Sequence, residues 1–160
     1  MKPNVAEMTP VAALTDAELT HLAEQARNYI TSHRWCRSIC DSHLAFGIGG
    51  VIGVFLFAIE PAHPGVDDTL WVVVGDLPPA YLVCEDALDW RSALDGYIYE
   101  MRRWISAVRS GASFDDVIPV AAAATTEHAD ILESRLDFIH RRLIDDASIE
   151  SDRNASSETN

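Results

Sequence analysis

Residues 51–60 read VIGVFLFAIE, and residues 70–74 read LWVVV. The first run is apolar on both faces, so it predicts a central strand that is covered on each side, and the second run predicts another strand. Gly49-Gly50 precedes the first run and suits the turn of a hairpin, because glycine tolerates positive φ. The two runs therefore predict a sheet, and the first predicts that other elements pack on each side of it.

The first run lies inside a longer uncharged segment, Ser42 to Ile59, whose eighteen residues approach the length of a membrane span. Four glycines interrupt this segment, and its second half is rich in β-branched and aromatic residues. Both features favour a buried strand over a membrane helix. We therefore predict no membrane association.

An N-terminal helix is predicted from about Asp16 to Ser32. It opens with Thr15-Asp16-Ala17-Glu18, a capping box in which the first and last side chains each satisfy a backbone N–H. Apolar residues then recur at helical spacing. Residues 33–46 fit either a continued helix or a strand, and their period-2 pattern favours a strand over about Arg37–Phe46.

The second half of the chain predicts one more strand and two helices. Ala80–Cys84 follows a pair of prolines, which indicates a short strand at the edge of the sheet. A helix with heptad-like apolar spacing begins near Asp86 and ends at Ser110-Gly111. The last helix begins after Thr125-Thr126, with acids in its first turns and arginines near its end.

This order of elements predicts an α+β fold: an N-terminal helix, a three- to four-stranded and mainly antiparallel sheet, and two C-terminal helices. We expect residues 15–146 to form a single domain and residues 1–14 to be a loose arm. Residues 147–160 consist mostly of Ser, Asp, Glu and Asn, which predicts a disordered acidic tail.

The net charge of −13 arises from 25 acidic against 12 basic side chains. It argues against nucleic-acid binding, which needs cations to neutralise phosphates, and it favours a basic protein partner, although acidity also serves solubility alone. Seven acids and no Lys or Arg lie between residues 60 and 89. Six of them form the predicted binding surface: Asp67, Asp68, Asp76, Glu85, Asp86 and Asp89.

Metal or thiol chemistry is the alternative that the residue types raise. His33, Cys36, Cys40 and His43 are zinc-type ligands, but on one straight helix they would span about 15 Å. Packing is therefore the favoured role, and the loop at His63 is a second candidate. No nucleophile motif is present, and we predict neither a cofactor nor, on balance, an enzyme. An odd, sparse cysteine count indicates a cytoplasmic protein.

The chain resembles a group of small uncharacterised bacterial α+β proteins over about residues 15–145. The shared segments include a Trp-Cys-Arg step, GGVIGVFLFAIEP, LWVVVGDLPPAYLV, ALDWRSALDGYIYEMRRWISAV and VIPV. This likeness implies a bacterial, cytoplasmic, single-domain protein and carries over no functional residue. In size and charge alone, the chain is also similar to immunity proteins of bacterial toxin systems.

Three functions follow as hypotheses. The first is an acidic protein-binding module, such as an inhibitor or immunity-type protein for a basic partner. The second is a metal- or thiol-dependent enzyme that uses the histidine and cysteine segment or the His63 loop. The third is a homo-oligomer whose Trp-rich helix forms the contact, although Trp71, Trp90 and Trp104 are better explained as core residues.

Overall fold

A computed structural model of the protein describes residues 2–120 and 122–145, with the backbone alone at residues 86 and 143–145. Its five strands form one antiparallel sheet in which each strand pairs with the next along the chain. The strands are β1 Thr9–Pro10, β2 Cys36–Ile48, β3 Ile52–Pro61, β4 Thr69–Gly75 and β5 Ala80–Val83. The helices are α1 Ala17–Thr31, α2 Trp90–Ser110 and α3 Thr126–Ile139, and a π-helical turn, His140–Asp145, follows α3.

The α+β class is confirmed, but the sheet has five strands rather than the predicted three to four. The additional strand, β1, lies in the segment that was predicted to be a loose arm, and it pairs with His43 and Leu44 of β2. Two residues are too few to show a periodic pattern. The strand predicted over about Arg37–Phe46 is confirmed, since β2 spans Cys36–Ile48.

Two apolar layers explain why β3 and β4 are hydrophobic on both faces. Phe55 and Phe57 point toward α1, and together they form one core. Val54 and Leu56, on the opposite face, pack with α2 and α3 in a second core. The sheet is therefore enclosed between one helix and a helix pair. In the described part of the chain, no helix is long and apolar enough to cross a membrane.

The helix starts differ from the predicted ones. Asp16, not Thr15, caps α1, and its side chain accepts a hydrogen bond from the backbone N–H of Leu19 at 3.0 Å. The second helix begins at Trp90 instead of near residue 86, because Cys84–Asp86 forms a separate 3₁₀ turn. At the other end, the predicted stop is confirmed: Gly111 has a left-handed φ of 69°.

The tryptophans lie mainly in the core. Trp71 is fully buried in β4, and Trp104 is buried on α2. Trp90 stacks on Phe46 of β2, with ring centroids 4.2 Å apart. Trp104 is thus not on the surface for contact with a second copy. The predicted disordered tail, residues 147–160, lies outside the described residues.

Candidate partner-binding groove

The six acids of the predicted binding surface are divided between the two ends of the sheet. Asp67 and Asp68 precede β4 and Asp76 follows it, so the strand separates them by roughly 23 Å at about 3.3 Å per residue. Glu85 follows β5, which runs antiparallel to β4 and brings the chain back to the Asp67 end. The structure therefore places three of these acids at one end and Asp76 at the other.

Two of these acids pair with cations from other parts of the chain. The ammonium group of Lys2 lies 3.2 Å from a carboxylate oxygen of Asp68, and its hydrogen bond to Asp68 is the main cause of that residue's lowered pKa. The guanidinium of Arg135 lies 3.4 Å from Asp76. Residues 60–89 have no Lys or Arg of their own, but tertiary contacts supply three, because the guanidinium of Arg37 also lies 3.5 Å from Glu60.

The remaining three acids lie in the turn after β5 and at the start of α2. Asp89 caps α2, and its carboxylate accepts a hydrogen bond from the backbone N–H of Ser92 at 2.8 Å. Asp86 is the last residue of the 3₁₀ turn that begins at Cys84. Glu85, in the same turn, is exposed. A binding surface made of all six acids stays a prediction.

The four predicted zinc-type ligands do not form one ligand set. His33 lies between α1 and β2, Cys36 is buried at the start of β2, and Cys40 and His43 follow on the same strand. Within residues 2–120 and 122–145, no group of three or more His, Cys, Asp or Glu side chains is close enough to hold a metal ion. His63 is exposed in the turn between β3 and β4.

Burial also works against a reactive thiolate at two of the three cysteines. It raises the pKa of Cys36, and the nearby Cys40 adds to that effect. Burial, with a smaller contribution from Asp67 and Asp68, raises the pKa of Cys84 to about 11. Because the thiolate is the nucleophilic form, both side chains are poor candidates for thiol catalysis.

We expect iodoacetamide at neutral pH to modify Cys40 in the folded protein, because this thiol is exposed. Cys36 and Cys84 should react only after denaturation, since both are buried and have raised pKa values. Mass spectrometry of peptides after timed quenching measures each site, and Cys40→Ser should remove the fast reaction. Fast alkylation of Cys36 would contradict the buried, protonated thiol and favour the thiol enzyme.

An aromatic cluster lies where the end of α1 meets the edge strand β5. We define it as Tyr29, His33, Trp35 and Tyr81. The centroid of the His33 ring lies 4.9, 4.7 and 5.4 Å from those of the other three, respectively. Burial is the main cause that raises the pKa of Tyr29 to about 12, so its phenol is neutral at physiological pH.

The cluster borders an open cleft. Tyr29, His33 and Tyr81 line part of it, and Ile118 and Pro119 contribute to the rest. The volume of this cleft is about 610 Å³. Tyr81 is 36% exposed, which is high for an aromatic residue of a sheet. A partner side chain therefore has access to aromatic surface here.

A second cleft, of about 460 Å³, adjoins the first, because Tyr81 and Ile118 line both. We call the two clefts together the edge groove. The second cleft carries three carboxylates and one cation: Glu100, Asp115, Asp116 and Arg103. The Arg103 guanidinium lies 3.3 Å from Glu100. No Lys or Arg in the described ranges forms an ion pair with either aspartate, so this cleft has an uncompensated negative charge.

The edge groove follows the outer side of β5. This strand pairs with β4 on its inner side. Residues 115–120 line the clefts that β5 also lines, yet no backbone hydrogen bond joins them to this strand among the residues that the structure describes. An unpaired strand edge is a common attachment point for an extended segment of another protein.

No protein-family model, curated protein or solved structure matches this chain.

Sequence reasoning missed the edge groove. Two of its acids, Asp115 and Asp116, lie outside the acidic segment 60–89. Its aromatic residues Tyr29 and Tyr81 are 52 positions apart in the sequence. One usable signal was present: Asp115-Asp116 runs directly into the apolar VIPV segment. Acids beside exposed apolar residues are typical of an interface with a basic partner.

Proposed function

We propose that this protein is a binding module for a basic protein partner, and that the edge groove receives this partner. One observation supports the proposal above all: uncompensated carboxylates and exposed aromatic surface adjoin beside an unpaired strand edge. Carboxylates steer a basic partner and increase its association rate. Aromatic side chains supply the contact area that dominates the affinity of many interfaces.

The charge of the whole chain supports the same partner. A net charge of −13 creates an attractive field for a basic protein and a repulsive one for nucleic acid. An immunity-type inhibitor of a basic toxin is one role within this class. The cysteines, by contrast, lie outside the walls of the groove.

The test measures binding of fluorescein-labelled peptides by fluorescence anisotropy. We use four Lys-Val repeats as the basic peptide and four Glu-Val repeats as the acidic one, because β-branched valine favours an extended chain. We expect the basic peptide to bind and the acidic one not to bind. Raising the salt concentration from about 50 to about 300 mM should weaken the complex, since screening shortens the reach of exposed charges.

Two charge-matched double variants locate the site. Asp115→Asn with Asp116→Asn should weaken binding about tenfold, on the basis of roughly 0.7 kcal/mol for each exposed charge. Asp67→Asn with Asp68→Asn removes the same charge from the predicted six-acid surface and should change the affinity less than about twofold. Equal losses of affinity in the two variants would show that only the overall charge matters, and would overturn the proposal that the groove is the binding site. A loss at Asp67 and Asp68 alone would place the partner on the six-acid surface instead.

A further inference from the structure

The outer edge of β5 indicates what kind of segment the edge groove receives, and this inference rests on the proposed function. We propose that the partner adds an extended segment to β5 as a further strand of the sheet, and that apolar and basic residues alternate along this segment. Its apolar side chains pack on the aromatic cluster on one face of the sheet. Its basic side chains lie beside Asp115 and Asp116 on the other face.

The two edges of the sheet differ in their capacity to pair with another strand. At the far edge, β1 covers only His43 and Leu44 of β2. The rest of β2 exposes Arg37 and Asp41, and its pairing with β3 is irregular at three places. Charges and bulges are common protection of an edge against further pairing. By contrast, β5 pairs with β4 in a continuous register and contains no charged residue, Gly or Pro, so it is better suited to accept a strand.

The two faces of the sheet beside β5 differ in chemistry. Tyr81 lies opposite Val72, which belongs to the core on the α1 side, so its ring shares that face with the rest of the aromatic cluster. Leu82 lies opposite Trp71, in the core on the α2 side. A β-carbon on Gly96 of α2 would lie 3.1 Å from a methyl group of Leu82. The acidic cleft that Leu82 lines is therefore on this second face.

A strand added to β5 would serve both faces at once. Successive side chains of a strand point to opposite faces of its sheet. Every second residue of the added strand would therefore meet the aromatic surface of Tyr81, and the residues between them would meet the carboxylates of Asp115 and Asp116. Backbone hydrogen bonds supply affinity in this mode of binding, and the environments of alternate side chains supply the specificity. The general attraction for a basic partner thus becomes a preference for one sequence pattern.

The backbone of β5 is accessible on its outer side. Residues 115–120 line the same clefts, yet in the described part of the chain none of them forms a backbone hydrogen bond with this strand. The Tyr29 phenol contacts the Tyr81 backbone there. An incoming strand can replace a side-chain contact of this kind with backbone hydrogen bonds.

The first experiment compares two fluorescein-labelled peptides of equal composition and charge: four Lys-Val repeats, and two Lys-Lys-Val-Val repeats. Only the first keeps all lysines on one face of an extended chain and all valines on the other. We expect it to bind about tenfold more tightly in fluorescence anisotropy, because the second peptide places half of each residue type on the wrong face. Equal affinities would overturn strand addition and leave the binding module standing. If neither peptide binds at low salt, the proposed function itself fails.

Amide hydrogen exchange followed by NMR tests the backbone pairing directly. In the complex with the alternating peptide, the outward-facing amides of β5 should exchange at least about tenfold more slowly than in the free protein, because they gain hydrogen bonds. The exposed amides of Arg37 and Asp41, at the far edge, are the internal control and should not change. Unchanged exchange on β5 in a saturated complex would overturn strand addition.

Tyr81→Thr tests the aromatic face, because threonine removes the ring but remains suited to a strand. This variant should reduce the preference for the alternating peptide from about tenfold to about threefold. Tyr99→Thr is the matched control, since Tyr99 is 64% exposed on α2 and lies outside both clefts. It should keep the full preference. A full preference in Tyr81→Thr would overturn the proposed packing on the aromatic cluster. Circular dichroism establishes that each variant is folded, and the exchange experiment needs only the wild-type protein.

Discussion

Trp71→Ala is expected to lower the free energy of unfolding by about 4 kcal/mol, the usual scale for truncation of a buried aromatic residue. Trp71 has no exposed surface, and it lies in the middle of β4 between Leu56 and Leu82 of the neighbouring strands. Its indole N–H donates to the carbonyl of Ala87 at 2.8 Å. The alanine variant leaves a cavity and also removes the donor to Ala87.

Urea denaturation followed by circular dichroism measures this loss. Trp71→Phe fills most of the cavity but still lacks the donor, so it should cost about 2 kcal/mol. Tyr99→Ala truncates an exposed aromatic residue and should change the stability by less than about 0.5 kcal/mol. A Trp71→Ala variant as stable as Tyr99→Ala would contradict the described core. Because Trp71 contacts the turn after β5, we also expect this variant to weaken the edge groove.

Gly75→Ala is expected to have the second largest effect, about 3 kcal/mol of lost stability. Gly75 has φ of +146°, a conformation that other residues rarely adopt. A β-carbon there would clash with the backbone carbonyl of Val51 and lie 2.8 Å from the α-carbon of Ile52. Neither backbone atom can move easily, because Ile52 pairs with Gly75 itself and Asp76 donates to the Val51 carbonyl at 3.0 Å.

Gly65→Ala is the control for this substitution. A β-carbon at Gly65 meets no atom within 4 Å, and this glycine has no positive φ. We expect the free energy of unfolding of the Gly65→Ala variant to stay within about 0.5 kcal/mol of wild type. A slight rise is also consistent, because alanine makes the unfolded chain less flexible. Equal thermal midpoints for Gly65→Ala and Gly75→Ala would show that the backbone at Gly75 relaxes, contrary to the expected clash.

Local patterns were sufficient to predict the central elements. Residues 51–59 and 70–74 contain no charged or polar side chain, as expected for strands that are covered on both faces. The first and last helices were predicted from caps and periodicity, and both are confirmed to within a few residues. These features depend on neighbours in the chain, so the sequence displays them directly.

The start of α2 shows where local patterns fail. Residues 86 and 89 are both aspartates, and either is a good N-cap by type. Asp89 is the residue that caps α2, and Ala87, two residues before it, is extended. The carbonyl of Ala87 accepts a hydrogen bond from the indole N–H of Trp71 on β4. That bond joins residues 16 positions apart. A helix boundary set by a long-range contact cannot be read from propensity alone.

The α+β class, the order of the main elements and the excess of negative charge follow from the chain itself, because composition and periodicity are local properties. The fifth strand and the edge groove depend on tertiary structure. Tyr29, Tyr81 and Asp115 come from a helix, an edge strand and a loop, and only the folded sheet brings them to one edge. Their proximity results from packing between segments that are far apart in the chain, so it cannot be predicted from spacing along the sequence.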